Sequence, residues 1–209
     1  MKQKIRIIIN LILAIIVVLV WGYMFLGSDS FLSSSGFTSL KYFTVLSNIF
    51  AGVTSALWTA IAIKGKDTKT ADILKFVSTV AVMVTFSVVA FFLRPVYKDY
   101  PMYSGANLWF HLLIPLAELL EFVIFNKTKI GIKERLFAGI PAFIYGSVYL
   151  LNIAINGKGE WPDTNDWYGF LNWGLPVGMG IFFGIVLISI LLGLLIVVIL
   201  KIRDKITGA

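Results

Sequence analysis

Apolar positions gather into six long runs, at about residues 5–26, 41–63, 72–93, 106–125, 134–155 and 175–201. A helix needs about 20 apolar residues to cross the hydrocarbon layer of a bilayer, and each run meets that length. The connections are short, the longest covering 156–174, and no stretch is left for a soluble domain. The pattern predicts an all-α integral membrane protein: one domain, residues 1–209, folded as a six-transmembrane-helix bundle. The first run follows Lys2, Lys4 and Arg6, as the core of a signal peptide would. It is too long for that role and no Ala-x-Ala site follows, so it is expected to be a retained span.

Composition agrees. Hydrophobic residues make up 58% of the chain and charged residues 14%, against about 25% charged in soluble domains. Cysteine is absent, which excludes disulfides, thiol nucleophiles and Cys-type metal sites. A single histidine, His111, cannot build a conventional zinc site, and no phosphate loop or nucleotide motif appears. Neither a metal nor a cofactor is expected.

The net charge of +7 points to topology, because no basic domain exists to bind nucleic acid. Lys2, Lys4 and Arg6 precede the first span. Lys64, Lys66, Lys69 and Lys75 are read between spans two and three, and Lys127, Lys129, Lys133 and Arg135 between four and five. Lys201, Arg203 and Lys205 follow the sixth. That places fourteen on one side, against Lys41, Arg94, Lys98 and Lys158 on the other. By the positive-inside rule both termini are expected in the cytoplasm. The connection 156–174 then faces outward with Trp161, Trp167, Tyr168 and Trp173. Such aromatics anchor at the membrane interface, or this segment acts as a lid.

Polar residues inside spans are costly and face the bundle interior. At 100° per residue, Thr44, Asn48, Ser55 and Thr59 fall within about 60° of one another, with Ser47 at the edge of the stripe. Tyr145, Tyr149, Asn152 and Asn156 make a second stripe of about 60° in the fifth span. Asn107, His111 and Glu118 share a face of the fourth, with Glu121 turned toward another contact. At 1.5 Å per residue, Thr44 lies about 5 Å and His111 about 7 Å below the outer ends of their spans. Thr44, Asn48, Asn107, His111, Tyr149 and Asn152 are therefore expected in one layer near the outer leaflet. Each also has a plainer reading. A membrane Thr often bonds a carbonyl of its own helix, and Asn and Tyr stripes join helices. Glu118, about 10 Å deeper than His111, is expected to be a hydrogen-bonded packing group, or to orient His111 through water or carry protons. Arg94 snorkels to the interface or holds a carboxylate. Gly174, Gly178, Gly180 and Gly184 are read as close-packing positions.

A Thr hydroxyl becomes a competent nucleophile when an imidazole takes its proton during attack. The oxyanion that forms needs donors, for which Asn48, Asn107, Asn152 and Tyr149 are candidates. An amphipathic acyl ester entering from the outer leaflet is the natural substrate at this depth. Two other classes fit the same residues. One is a proton-coupled transporter working through His111, Glu118 and the tyrosine stripe. The other is a non-catalytic lipid-binding scaffold in which the polar layer only joins helices.

The stretch "LKYFTVLSN", followed two spans later by "NLWFHLLIP", resembles the androgen-induced protein family of intramembrane threonine hydrolases. The resemblance implies six spans and hydrolysis of fatty acid esters of hydroxy fatty acids, with Thr44 as nucleophile and His111 as base. Asn107, four residues before the histidine, also matches. Animal members carry a His after that Asn and a Thr after the catalytic His, where this chain has Leu108 and Leu112. The difference bears on the substrate more than on the reaction class. The Lys- and Ile-rich composition fits a bacterial plasma-membrane member of the family.

Overall fold

The six apolar runs become six helices long and apolar enough to cross a membrane: α1 (Lys2–Leu26), α2 (Phe43–Ile63), α3 (Lys69–Val96), α4 (Gly105–Phe125), α5 (Ile132–Asn156) and α6 (Leu175–Thr207). They are seen in a computed structural model that describes residues 1–27, 35–96, 98–160 and 163–208. No strand occurs among the described residues. The boundaries move modestly from the sequence reading. Lys41 closes a short 3₁₀ turn, Gly36–Lys41, and α2 itself starts at Phe43. Helix α6 continues to Thr207, because polar residues can continue a helix past its apolar run.

Helix α3 is central. Phe76, Val80 and Val82 are fully buried, and α3 contacts α2, α4, α5 and α6. Such all-round apolar helices belong inside a bundle. Helix α1 packs on α2 and α4 and presents Ile8, Leu11, Ile15 and Leu19 outward. Close approach of α1 and α2 depends on Gly52, where an added Cβ would sit 2.8 Å from Val17. Gly180 and Gly184, read in the sequence as close-packing positions, face open space, since the α6 surface they occupy points away from its neighbours.

Near one end of the bundle lies a buried ion cluster that the sequence pattern does not disclose. Arg6 of α1 pairs with Asp72 of α3 at 2.8 Å and with Glu121 of α4 at 2.6 Å. Lys75 of α3 pairs with Glu118 of α4 and lies 3.4 Å from Glu121. Ser55 donates to Glu118 at 2.8 Å and accepts from Lys75 at 2.8 Å. Trp58 Nε1 and Thr128 Oγ1 donate to Asp72 at 2.9 and 2.7 Å. Arg6 and Lys75 therefore do not mark loops, as their place in the charge pattern implies. They are buried counter-ions, which is how charges persist where water is excluded.

Candidate active site at the Thr44 end of the bundle

Two helices are loosened at matching places. In α3 the N–H of Arg94 bonds the carbonyl of Val89, five residues back. In α4 the N–H of Ile114 bonds the carbonyl of Trp109, again five back. A proline follows each widened turn, Pro95 and Pro115. Proline has no N–H to give the carbonyl four residues before it and its ring crowds that carbonyl. The helix relieves the clash with a π turn, a device frequent at functional sites. His111 lies within the α4 turn, and Val89 and Leu93 bound the α3 turn.

Between these turns and the start of α2 is a cavity of about 170 Å³, whose lining includes Thr44, Asn107, His111, Met102 and Tyr168. At about 30 Å³ per water, that is room for an ester group or a handful of waters. A second cavity of about 130 Å³ lies beyond a shared wall of Thr44, Val89, Leu93 and Tyr168. Its remaining lining is mostly apolar, with Val84, Val88, Phe182 and Ile185 among it. Thr44 thus borders a space of mixed polar and apolar lining on one side and a greasier one on the other.

Thr44 is the second residue of α2, and only the separate 3₁₀ turn Gly36–Lys41 precedes that helix. Its hydroxyl has no carbonyl of its own helix to bond, and no hydrogen bond to it occurs among the described residues. This position also places it at the positive end of the helix dipole, where negative charge is favoured. The ring of His111 is held by its Nδ1, 2.8 Å from the carbonyl oxygen of Met102. A carbonyl only accepts, so Nδ1 carries the proton and Nε2 keeps its lone pair. Asn107 lines the same cavity, and its side-chain amide makes no hydrogen bond among the described residues.

The other sequence-selected residues separate into distinct roles. Asn48 is buried, but its amide donates to the Thr44 carbonyl at 2.7 Å and the Phe110 carbonyl at 3.1 Å. Both amide hydrogens are occupied, which removes Asn48 as an oxyanion donor and makes it a tie between α2 and α4. Ser47 bonds the Thr44 carbonyl at 3.1 Å and Thr85 at 3.0 Å, and lies outside this cavity. Tyr149 borders the apolar cavity, and its hydroxyl donates to Asp166. Asn152 donates to Asn165 at 3.1 Å. These two side chains fasten the 157–174 connection instead of joining the His111 layer, because Asp166 and Asn165 satisfy them first. Glu118 belongs to the ion cluster and makes no contact with His111. Arg94 is exposed and stacks over Tyr103 at 5.6 Å.

Tyr168 belongs to the site although the sequence pattern does not single it out. Its hydroxyl accepts the N–H of Phe43 at 2.9 Å, beside Thr44, and its ring forms part of both cavity walls. Burial pushes this phenol well above the usual tyrosine range, so it stays neutral and retains a proton to donate. The available signal was its place in an aromatic-rich connection, which also suits simple interfacial anchoring. Trp161, read with that aromatic group, lies outside the described residues.

Six helices long and apolar enough to cross a membrane define a multi-pass helical membrane protein. Compared with protein-family models, curated proteins and solved structures, the chain matches none.

Proposed function

We propose that this protein is an intramembrane lipid esterase, with both termini in the cytoplasm and its site toward the outer leaflet of a bacterial plasma membrane. The observation that carries the reading is one cavity bordered by a Thr44 hydroxyl with no hydrogen bond among the described residues and by a histidine whose free nitrogen is a base. The orientation rests on charge. With the buried Arg6 and Lys75 set aside, twelve basic residues remain on the terminal side against four on the other, which still favours cytoplasmic termini.

In the reaction, Thr44 Oγ1 attacks the ester carbonyl while His111 Nε2 takes the hydroxyl proton. Asn107 and the N-terminal end of α2 stabilise the oxyanion. Collapse breaks the ester C–O bond, and His111 passes its proton to the departing alcohol. A water, deprotonated by His111, then cleaves the acyl-threonine and releases a fatty acid. The apolar cavity beyond Thr44 suits an acyl chain, and the substrates that fit are amphipathic acyl esters such as fatty acid esters of hydroxy fatty acids. Purified protein is expected to hydrolyse such an ester or a p-nitrophenyl acyl ester, with an acyl adduct on Thr44 by intact mass. Full activity in Thr44→Ala or His111→Ala, each correctly folded, overturns the proposal.

A second reading, a proton-coupled carrier, draws on the buried cluster, where three carboxylates, Asp72, Glu118 and Glu121, share two cations, Arg6 and Lys75. Liposome flux that survives Thr44→Ala but is lost in Glu118→Gln favours that reading. A purely structural scaffold is set aside if a fluorophosphonate probe labels the protein in a Thr44-dependent way.

A further inference from the structure

A groove of about 690 Å³ runs between α2, α3 and α5, within the range of about 300–1,000 Å³ typical of ligand sites. Leu46 and Phe50 of α2, Ile73, Leu74 and Val77 of α3 and Ile144 of α5 line it. Among the described residues of its lining, only Ser47, Thr70 and Tyr145 carry side-chain polar atoms. Ser47 is spent on the Thr44 carbonyl and Thr85. Tyr145 donates to the Lys41 carbonyl at 2.5 Å and accepts from Trp167 Nε1 at 3.1 Å. Thr70 stands in the first turn of α3, at the foot of the groove. Along α5 the lining runs from Phe137 to Val148, about 16 Å at 1.5 Å per residue. That is about half of the roughly 30 Å hydrocarbon core, the depth that one leaflet's acyl chains fill.

Two observations say what fills it. The first is its place on membrane-spanning helices. Ile140, Ile144 and Val148 recur every four residues, hence on one face of α5, and they rim the groove while staying exposed. Water is absent from the hydrocarbon core, and an apolar space left empty forfeits its dispersion contacts. The second is the size of the apolar cavity beyond Thr44. Its 130 Å³ holds about four water-sized groups at about 30 Å³ each, so it takes only the first few carbons of an acyl chain. Among the described residues, Phe43 and Tyr145 are common to the linings of that cavity and the groove. Their rings meet edge-on with centroids 5.2 Å apart. Tyr145 is pinned by its hydroxyl, whereas the Phe43 ring has no polar tie, so Phe43 is the side of this partition that can yield.

We infer that the α2–α3–α5 groove holds a long acyl chain whose ester end lies at Thr44, threaded between Phe43 and Tyr145. The chain lies along the bilayer normal, as the chains of neighbouring lipids do, and enters sideways without leaving hydrocarbon. The substrate class narrows to esters of long-chain fatty acids, since a short acyl group needs only the small cavity. The link to Thr44 rests on the esterase reading, whereas occupancy of the groove does not.

The test uses the full chain in nanodiscs and has two arms. In the first, palmitate carrying a diazirine at its far end is photolysed with the protein, and labelled residues are mapped by mass spectrometry. Label is expected on the groove segments of α3 and α5, to be competed by unlabelled palmitate, and to be lost in Ile144→Trp. In the second, hydrolysis of p-nitrophenyl palmitate and p-nitrophenyl butyrate is compared. Ile144→Trp is expected to lower kcat/KM for palmitate roughly tenfold, the effect of a methylene group losing its place in an apolar pocket, and to leave butyrate unchanged. Ile144 is exposed, so the larger ring crowds no core. Leu46→Trp, on the opposite wall and also exposed, is expected to act alike. Leu120→Trp, exposed on α4 and outside both linings, is expected to change neither arm. Label spread evenly over the outer faces of α1 and α6 without competition means bulk lipid contact only and overturns the inference, as does cross-linking of two copies through the groove. Thr44-dependent hydrolysis with the same chain-length preference in Ile144→Trp also overturns it and leaves the esterase reading standing. Competed groove label with no hydrolysis of either ester upholds the acyl site and retires the esterase reading instead.

Discussion

The bundle contains two clusters of polar side chains, and they are built on opposite terms. Around Lys75 and Glu118 nearly every charge meets a counter-charge or a hydroxyl, and both side chains are fully buried. Around Thr44 and His111 the helices are held apart by π turns, and a hydroxyl, an amide and an imidazole nitrogen face an open space. The first arrangement fixes which helices are neighbours, since α1, α2, α3 and α4 each contribute to it. The second contributes little cohesion and leaves reactive groups available. A polar residue in a membrane span can thus serve the fold or the chemistry, and its hydrogen-bond partners tell which.

The contrast can be broken most sharply at the open cluster. If the proposed esterase chemistry holds, His111→Ala is expected to lower turnover by about 10²–10⁴-fold, the range for a lost general base, with the melting temperature in detergent nearly unchanged. Thr44→Ala is expected to remove the acyl adduct altogether. The closed cluster should respond the other way. Lys75→Ala strands Glu118, and removal of one partner from a buried pair costs about 3–5 kcal/mol, so yield and thermal stability are expected to collapse. Lys75→Met combined with Glu118→Leu replaces the pair by apolar groups and is expected to recover much of that stability. Recovery of stability without change in esterase rate would sharpen the division, and joint loss of both would break it. Asn107→Ala probes the proposed oxyanion donor and is expected to lower turnover by about 10²–10³-fold while leaving the melting curve in place. The smallest effect is expected from Tyr168→Phe, which removes the acceptor for the Phe43 N–H. A buried hydrogen bond is worth about 1 kcal/mol, so a shift of a few degrees in melting temperature is expected, read by scanning fluorimetry.

Much of the fold is legible in the sequence alone. Span number and approximate position follow from run length, because the bilayer imposes it. Projecting α2 and α4 brought Thr44, Asn107 and His111 to one layer, and the structure places all three on one cavity. The projection could not see who takes each hydrogen bond. Tyr149 and Asn152 have the right depth, but Asp166 and Asn165 from a connection without periodicity claim them. Lys75 looked like a loop lysine because it lies near a run of lysines. Its spacing from Asp72 and Thr79, three and four residues on α3, was the overlooked sign that it faces inward. Asn48 shows the same limit at the level of single atoms, since its donors are spent on two carbonyls.

The two prolines have a practical consequence for engineering. The cavity beside His111 exists because Pro95 and Pro115 deny their helices a regular turn, not because bulky side chains prop it open. Trimming or enlarging the lining residues should therefore tune which molecules enter without abolishing the space itself. Restoring a backbone donor at either proline would act as a latch on the whole compartment. Read in reverse, π turns at matching depth on facing spans, each followed by a proline, offer a search pattern for hollow sites in other membrane proteins.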